Sequence, residues 1–157
     1  MNCRHAAELP QTTLLTGMSE TERCSERVAC AGAVVFDSAG RLLLIQRGRP
    51  PSAGSWSVPG GRCRTGESPA QACVREVAEE TGLAVRVERF AGRVEREGVR
   101  QGSVYDINDF VCVVTGGELR PGDDAIDARW VSGAELTRLQ VVPLLRETLV
   151  QWGLLPR

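Results

Sequence analysis

Lysine is absent from this 157-residue chain: all nineteen basic residues are arginine, set against twenty Asp and Glu for a formal net charge of −1. A balance so close to neutral excludes general electrostatic capture of nucleic acid polymers or of an anionic membrane surface. It also means that any phosphate clamp must be built from guanidinium groups. Aromatics are few, with three Trp, three Phe and one Tyr, so a stacking platform for single strands is not expected. Histidine occurs once, as His5 in a polar N-terminal segment, which argues against Ser-His-Asp and Cys-His mechanisms. The cysteines at 3, 24, 30, 63, 73 and 112 form neither a C-x-x-C pair nor a compact Cys/His cluster, so a zinc site is not expected. There is no secretory n-region and no apolar run of membrane-spanning length. The expectation is a cytoplasmic protein with reduced thiols.

Length sets one ordinary domain with a single core. Residues 1–27 are mixed and polar without sustained period and read as a loosely ordered extension, in which Met18 is an alternative start. From residue 28 to 157 the pattern is that of a folded domain. VACAGAVVFD, the turn SAG and RLLLIQRG read together as a hairpin. RPPSAGSWSVPGG is punctuated by Pro and Gly and must be irregular. A helix then follows with clear ends: Ser68 as cap, Pro69 in the first turn, Gln71 completing a capping box, and Gly82 as the stop. Residues 84–95 and SVYDINDFVCVVTG read as strands around the loop EGVRQG, and ARWVS as a short strand. Ser132 with Glu135 forms a second capping box, and Pro143 is expected to open a last helix. Strands on both sides of a central helix, with helices closing the chain, predict an α/β domain with a mixed β-sheet and helices on its faces.

The central helix carries Glu79 and Glu80 within about 60° on either side of Glu76 at 100° per residue, beside an apolar arc of Ala70, Cys73, Val74, Val77 and Thr81. Like charges three and four residues apart repel by a few tenths of a kcal/mol per pair. Such a stripe is either a solvated face or a cation site. Glu67, just ahead of the cap, and Gly60-Gly61, which lets backbone approach closely, favour the cation. An oxygen-only donor set without Cys or His suits Mg²⁺ or Mn²⁺, ions that commonly bridge carboxylates to substrate phosphates.

Gly61, five residues, Glu67, seven residues, then Arg75-Glu76-Val77-Ala78-Glu79-Glu80-Thr81-Gly82-Leu83 resembles the Nudix box, G-x5-E-x7-R-E-U-x-E-E-x-G-U with U aliphatic, at all nine constrained positions. The preceding Trp56-Ser57-Val58-Pro59-Gly60-Gly61 is similar to the approach to that box common in the family. The resemblance implies a Nudix hydrolase with an α/β/α sandwich fold, cleaving a nucleoside diphosphate linked to another moiety with divalent cations and water. By position it implies Glu76, Glu79, Glu80 and the carbonyl of Gly60 as metal ligands. Arg75 would orient the carboxylates, and Glu67 would steady the loop or bind a metal through water. Glu76 and Glu80 are the first choices for general base, with Glu97 and Asp124 as outside candidates.

Arg47, Arg49 and Arg62 are candidates for the phosphate clamp, Trp56 for stacking on a base or equally for anchoring the irregular loop, and Tyr105 for the substrate pocket. The proline associated with ADP-ribose hydrolases about fifteen residues past the box is replaced by Gly98 and Val99, and the S-Q-P-W signature of NADH hydrolases is missing. Overall organisation still resembles short bacterial ADP-ribose pyrophosphatase-like hydrolases. The competing expectations are a nucleotide-sanitising hydrolase of (deoxy)nucleoside triphosphates and a non-catalytic nucleotide-sensing module. A small nucleotide-type substrate is the expected partner. Homodimerisation, common in the family, is left open by the residues.

Overall fold

Val34 and its neighbours Ala33 and Val35 are all buried, yet they point into two different cores. That is the alternation of a strand covered on both faces, and it sets the architecture. The computed structural model describes residues 26–122 and 124–157. The expected extension up to residue 25, with His5 and Met18, and Asp123 lie outside the described residues.

The chain runs β1 (Glu26–Val35), β2 (Leu42–Arg47), β3 (Trp56–Ser57), β4 (Gly60–Arg62), α1 (Pro69–Thr81), β5 (Leu83–Glu97), β6 (Ser103–Gly117), β7 (Ala125–Val131), α2 (Gly133–Leu136) and α3 (Leu145–Gln151). One sheet has the order β4-β1-β6-β5, mixed because β1 runs parallel to β6 while the other pairs are antiparallel. The second, β3-β2-β7, is antiparallel throughout. Ala31, Ala33, Val35 and Leu43 pack against Ala72, Cys73 and Val77 of α1. Val34, Leu42 and Leu44 pack away from it, against Leu136 of α2 and Leu145 and Leu149 of α3. Helices therefore cover both faces of the strands, as an α/β sandwich requires. Among the described residues no helix is long and apolar enough to cross a membrane. The described cysteines are free, with Cys73 and Cys112 sulfurs 3.6 Å apart in the core beneath α1.

The predicted ends of α1 are present. Ser68 Oγ accepts from the Gln71 N–H, the Gln71 side chain accepts from the Ser68 N–H, and Gly82 takes the left-handed conformation at φ 70°. The hairpin expected over β1 and β2 is not formed. The turn closes as read, with the Asp37 carboxylate accepting from the Ala39 and Arg41 N–H groups. Beyond the isolated Phe36–Leu42 bridge, however, the strands separate into different sheets. Both are apolar on both faces, so each is an interior strand with two other partners: β4 and β6 for β1, β3 and β7 for β2.

The last helix starts at Leu145, two residues after the expected Pro143. Val141 bridges Trp56, and the Val142 N–H donates to the Trp56 carbonyl, so this segment is held as an edge beside β3. Leu144, at φ 66°, makes the turn from that edge into α3.

Ser68→Ala removes the acceptor that caps α1. It is expected to lower unfolding free energy by about 1 kcal/mol, read as a lower urea midpoint at unchanged slope.

Candidate functional site

Gly60 and Gly61 are adjacent in β4 and serve opposite neighbours. A Cβ on Gly61 would overlap the Glu76 carboxylate, so only glycine lets α1 lie this close to the strand. The Gly60 N–H donates to Glu80 Oε2 at 2.9 Å. Glu80 is thereby anchored to the sheet edge by one backbone donor. Burial pushes its pKa up to about 7 and the neighbouring Glu76 adds to this, while the Gly60 N–H opposes it.

Arg75 holds the remaining carboxylates. Its Nε and Nη2 donate to the two oxygens of Glu67, each at 2.8 Å, a bidentate pair. Its Nη1 donates to Glu76 Oε1 at 2.6 Å and to Glu79 Oε2 at 3.0 Å, and Nη2 also reaches the Arg62 carbonyl. The guanidinium holds Glu67 down at about 2, with the Arg64 N–H contributing, and is itself raised by Glu67. Arg64, which the sequence reading passed over at an unconstrained box position, binds Glu79 Oε1 at 2.8 Å from the loop side. Loop and helix are thus fastened by two arginines across three acids, Glu67, Glu76 and Glu79, while Glu80 is held by the Gly60 N–H. Among the described residues no three His, Cys, Asp or Glu side chains converge into a cation cage; Arg75 instead pairs with Glu67, Glu76 and Glu79.

A cleft of about 400 Å³ opens over this helix. Glu76, Glu79, Glu80 and Asp124 present carboxylates to it, and Arg47, Arg49, Arg62, Arg64 and Arg75 present guanidinium groups. Arg47 reaches the cleft from the end of β2, its Nε donating to the Pro51 carbonyl. Arg49 pairs with Asp124 at 2.9 Å. The loop carrying Asp124 is tied to the end of α1 through Arg120 N–H to the Thr81 carbonyl and Gly122 N–H to the Glu80 carbonyl, both 2.9 Å. Asp124, an outside candidate in the sequence, therefore lies at the cleft because its loop caps the same helix. Glu97, the other outside candidate, ends β5 at the far hairpin and does not line the cleft.

The substrate candidates divide. Arg47 and Arg62 line the cleft. Tyr105, on β6, stands behind Arg62: its hydroxyl accepts from Arg62 Nη2 at 2.7 Å, with the guanidinium carbon 5.3 Å from the ring centroid. Trp56 must be corrected. It is 5% exposed, packs in the core against α3, and carries the Arg129 guanidinium 4.4 Å from its ring centroid. A ring buried on both sides cannot stack on a base in the cleft, and Trp56 instead anchors the irregular loop.

A profile of the NUDIX domain matches residues 26–152. The chain is 36% identical over 106 residues to an ADP-ribose pyrophosphatase of Methanocaldococcus jannaschii, covering 67% of this chain and 62% of that protein. It is also 36% identical over 118 residues to a putative 8-oxo-dGTP diphosphatase 2 of Mycobacterium tuberculosis, covering 74% and 81% respectively. The chain thus spans less than two thirds of the length of the first relative and most of the second. The crystal structure of a MutT NUDIX hydrolase from Burkholderia pseudomallei superposes with a TM-score of 0.71 at 27% identity, over 80% of this chain and 98% of that one. With the box residues gathered on α1 and β4, and the profile covering nearly all of the described domain, the chain belongs to the Nudix family.

Proposed function

We propose that this protein is a divalent-metal-dependent hydrolase that cleaves the diphosphate bond of a nucleoside diphosphate linked to another moiety, an ADP-ribose-like compound being the favoured substrate. The observation that carries this reading is the opposition of charges in one cleft: a carboxylate stripe on α1 facing arginines from β2, β4 and their loops. One wall suits cations and the other suits phosphate oxygens. The name of the M. jannaschii relative supports the ADP-ribose preference.

Glu76, Glu79 and Glu80, with the Gly60 carbonyl, would hold Mg²⁺ or Mn²⁺. The donor set fits, since it is made only of hard oxygens, and Glu80 is a half-buried carboxylate with one backbone N–H bonded to it. Such an ion supplies charge neutralisation at the diphosphate and an acidified water. Arg62, braced by Tyr105, and Arg47 bind phosphate oxygens and orient them in the cleft. Arg75 keeps Glu76 and Glu79 aimed at the same point, and Glu67 keeps Arg75 in place. Glu80 Oε1, left free when Oε2 accepts from Gly60, and Glu76 are the groups that take the proton of the attacking water. The intact box argues against a purely sensing role.

A second reading, hydrolysis of (deoxy)nucleoside triphosphates of the nucleotide-sanitising kind, is favoured by the M. tuberculosis relative, which the chain matches over more of its length.

Glu80→Gln and Glu76→Gln are each expected to lower kcat by about 100-fold or more while leaving the circular dichroism spectrum unchanged. Unaltered hydrolysis in both variants would remove the assignment. Arg75→Ala leaves three carboxylates without their shared cation, so melting temperature should fall in EDTA, and Mg²⁺ should raise it more than in the wild type. Equal response of the two proteins to Mg²⁺ would deny an ion site at these acids. A panel of ADP-ribose, NADH, dinucleoside polyphosphates, GDP-sugars and (deoxy)nucleoside triphosphates separates the substrate readings through released phosphate with and without phosphatase. The highest kcat/KM should fall on ADP-ribose; a maximum on a triphosphate would select the second reading.

A further inference from the structure

One row of residues crosses the four-stranded sheet almost without side chains. Gly60 of β4 pairs with Gly32 of β1, Gly32 with Asp109 of β6, and Asp109 with Gly92 of β5. The one side chain in the row is a carboxylate, and it lies over the bare strand beside it. A Cβ on Gly32 would overlap Asp109 Oδ1, and the next side chain it would meet is Val58, at 3.5 Å. At the far end the row is closed by Trp152, whose indole occupies the space a Cβ on Gly92 would need.

Asp109 is 7% exposed, and its Oδ1 has no hydrogen-bond partner. The cation acting on it is Arg96, which is engaged elsewhere: its Nη2 donates to Thr148 Oγ1 at 3.2 Å and its Nη1 to the Glu95 carbonyl at 3.0 Å. Burial without a partner pushes the Asp109 pKa up to about 6. An apolar side chain of the same size would fill the position without the cost of desolvating a carboxylate. The structure gives the group no folding role that an apolar residue would lack.

The position is linked to the cleft through the strand pairing of β4, β1 and β6. Gly60, whose N–H binds Glu80, is two strands from Asp109, about 10 Å at ordinary strand spacing. Tyr105 and Ile107 alternate onto the same face of β6 as Asp109. Tyr105 in turn carries Arg62, which lines the cleft.

We propose that Asp109 is a specificity-determining residue, its carboxylate accepting N–H donors from the edge of an amino-bearing base of the substrate nucleotide. The inference rests on the function proposed above and adds to it which part of the substrate is read, and by which atom. Bound substrate supplies Oδ1 with the donor that the protein withholds. A base that offers no such donor leaves the carboxylate buried and unpaired, which is how a polar site rejects an analogue.

The test compares the adenine or guanine nucleotide that the wild type hydrolyses best with the analogue in which hydrogen replaces the exocyclic amine. The wild type should favour the amino-bearing compound by about 10- to 100-fold in kcat/KM, the range expected for a hydrogen bond to a charged group. Asp109→Leu should collapse that preference to within about threefold. The loss should fall on the amino-bearing substrate alone and appear mainly in KM, with melting temperature equal to or above that of the wild type. Asp109→Asn, which keeps an acceptor, should retain part of the preference. If Asp109→Leu does not fold, Asp109→Ala makes the same comparison.

A wild type indifferent to the amine, a preference that survives Asp109→Leu and Asp109→Ala, or an equal loss on both substrates would each overturn the role of Asp109 while leaving the hydrolase reading intact. A wild type that hydrolyses no nucleotide of the panel would remove the hydrolase reading itself, a result seen before any variant is made.

Discussion

Like charge crowded onto one face of α1 is the constraint on which the rest of the structure turns. Glu76, Glu79 and Glu80 lie at spacings where carboxylates repel, and the fold answers with guanidinium groups, Arg75 foremost and Arg64 on Glu79. Arg75 bonds Glu76 and Glu79 on its own helix and takes Glu67 from the preceding loop in a bidentate pair. The same contacts that relieve the helix therefore fix the loop between β4 and α1. Glu80, on the other flank, goes to the Gly60 N–H instead. Carboxylates divided between arginine and a backbone donor are held in place, and at Glu80 burial is the largest influence on the charge. A cation bound at this edge, as proposed, would compete with Arg75 for the oxygens of Glu76 and Glu79.

The sheet arrangement is what brings β4 to that helix. Because β1 and β2 are each apolar on both faces, neither can be an edge, and each draws in two further partners. β1 recruits β4 on one side and the long β6 on the other, so a three-residue strand carrying Gly60 and Gly61 is stationed at the border of the four-stranded sheet. Alternation within that strand does the rest. Gly61 gives room to Glu76, while Gly60 starts the glycine row that ends at Trp152. The helix face that would hold cations and the opposite sheet face are joined through two neighbouring backbone positions.

On the roles proposed above, selectivity would be separated from chemistry. The box acids and their arginine lie at one end of the cleft, held by contacts among themselves and with β4. Arg62 and Tyr105 connect that end to β6, where Asp109 waits without a donor. A family whose members share the box and differ in substrate is consistent with such a division, since residues on β6 can change without disturbing α1. The loop tied to the end of α1 through Arg120 and Gly122 closes the remaining side and brings Asp124 to Arg49.

Much of the site is local and was therefore legible in the residues alone. The capping box of Ser68 and Gln71, the left-handed stop at Gly82, and the angular cluster of glutamates depend on spacings of a few residues along one helix. The second capping box, Ser132 with Glu135, is equally local. What eluded the sequence depended on partners distant in the chain. Residues 28–47 have the pattern of a hairpin, but whether β1 and β2 pair is decided by β6 and β7, which arrive some 60 to 90 residues later. Pro143 suits a helix start, yet the docking of Val141 and Val142 on Trp56 delays α3 to Leu145. The same docking, with Arg129 over the ring, takes Trp56 into the core. Asp109 reads as one polar residue in a mixed strand, and only the register that sets it beside Gly32 and Gly92 leaves its carboxylate alone. Sequence determined the charged helix and its ends because short-range geometry is written in spacing; tertiary structure decided which strands, rings and acids meet it, because those choices rest on burial shared among segments far apart in the chain.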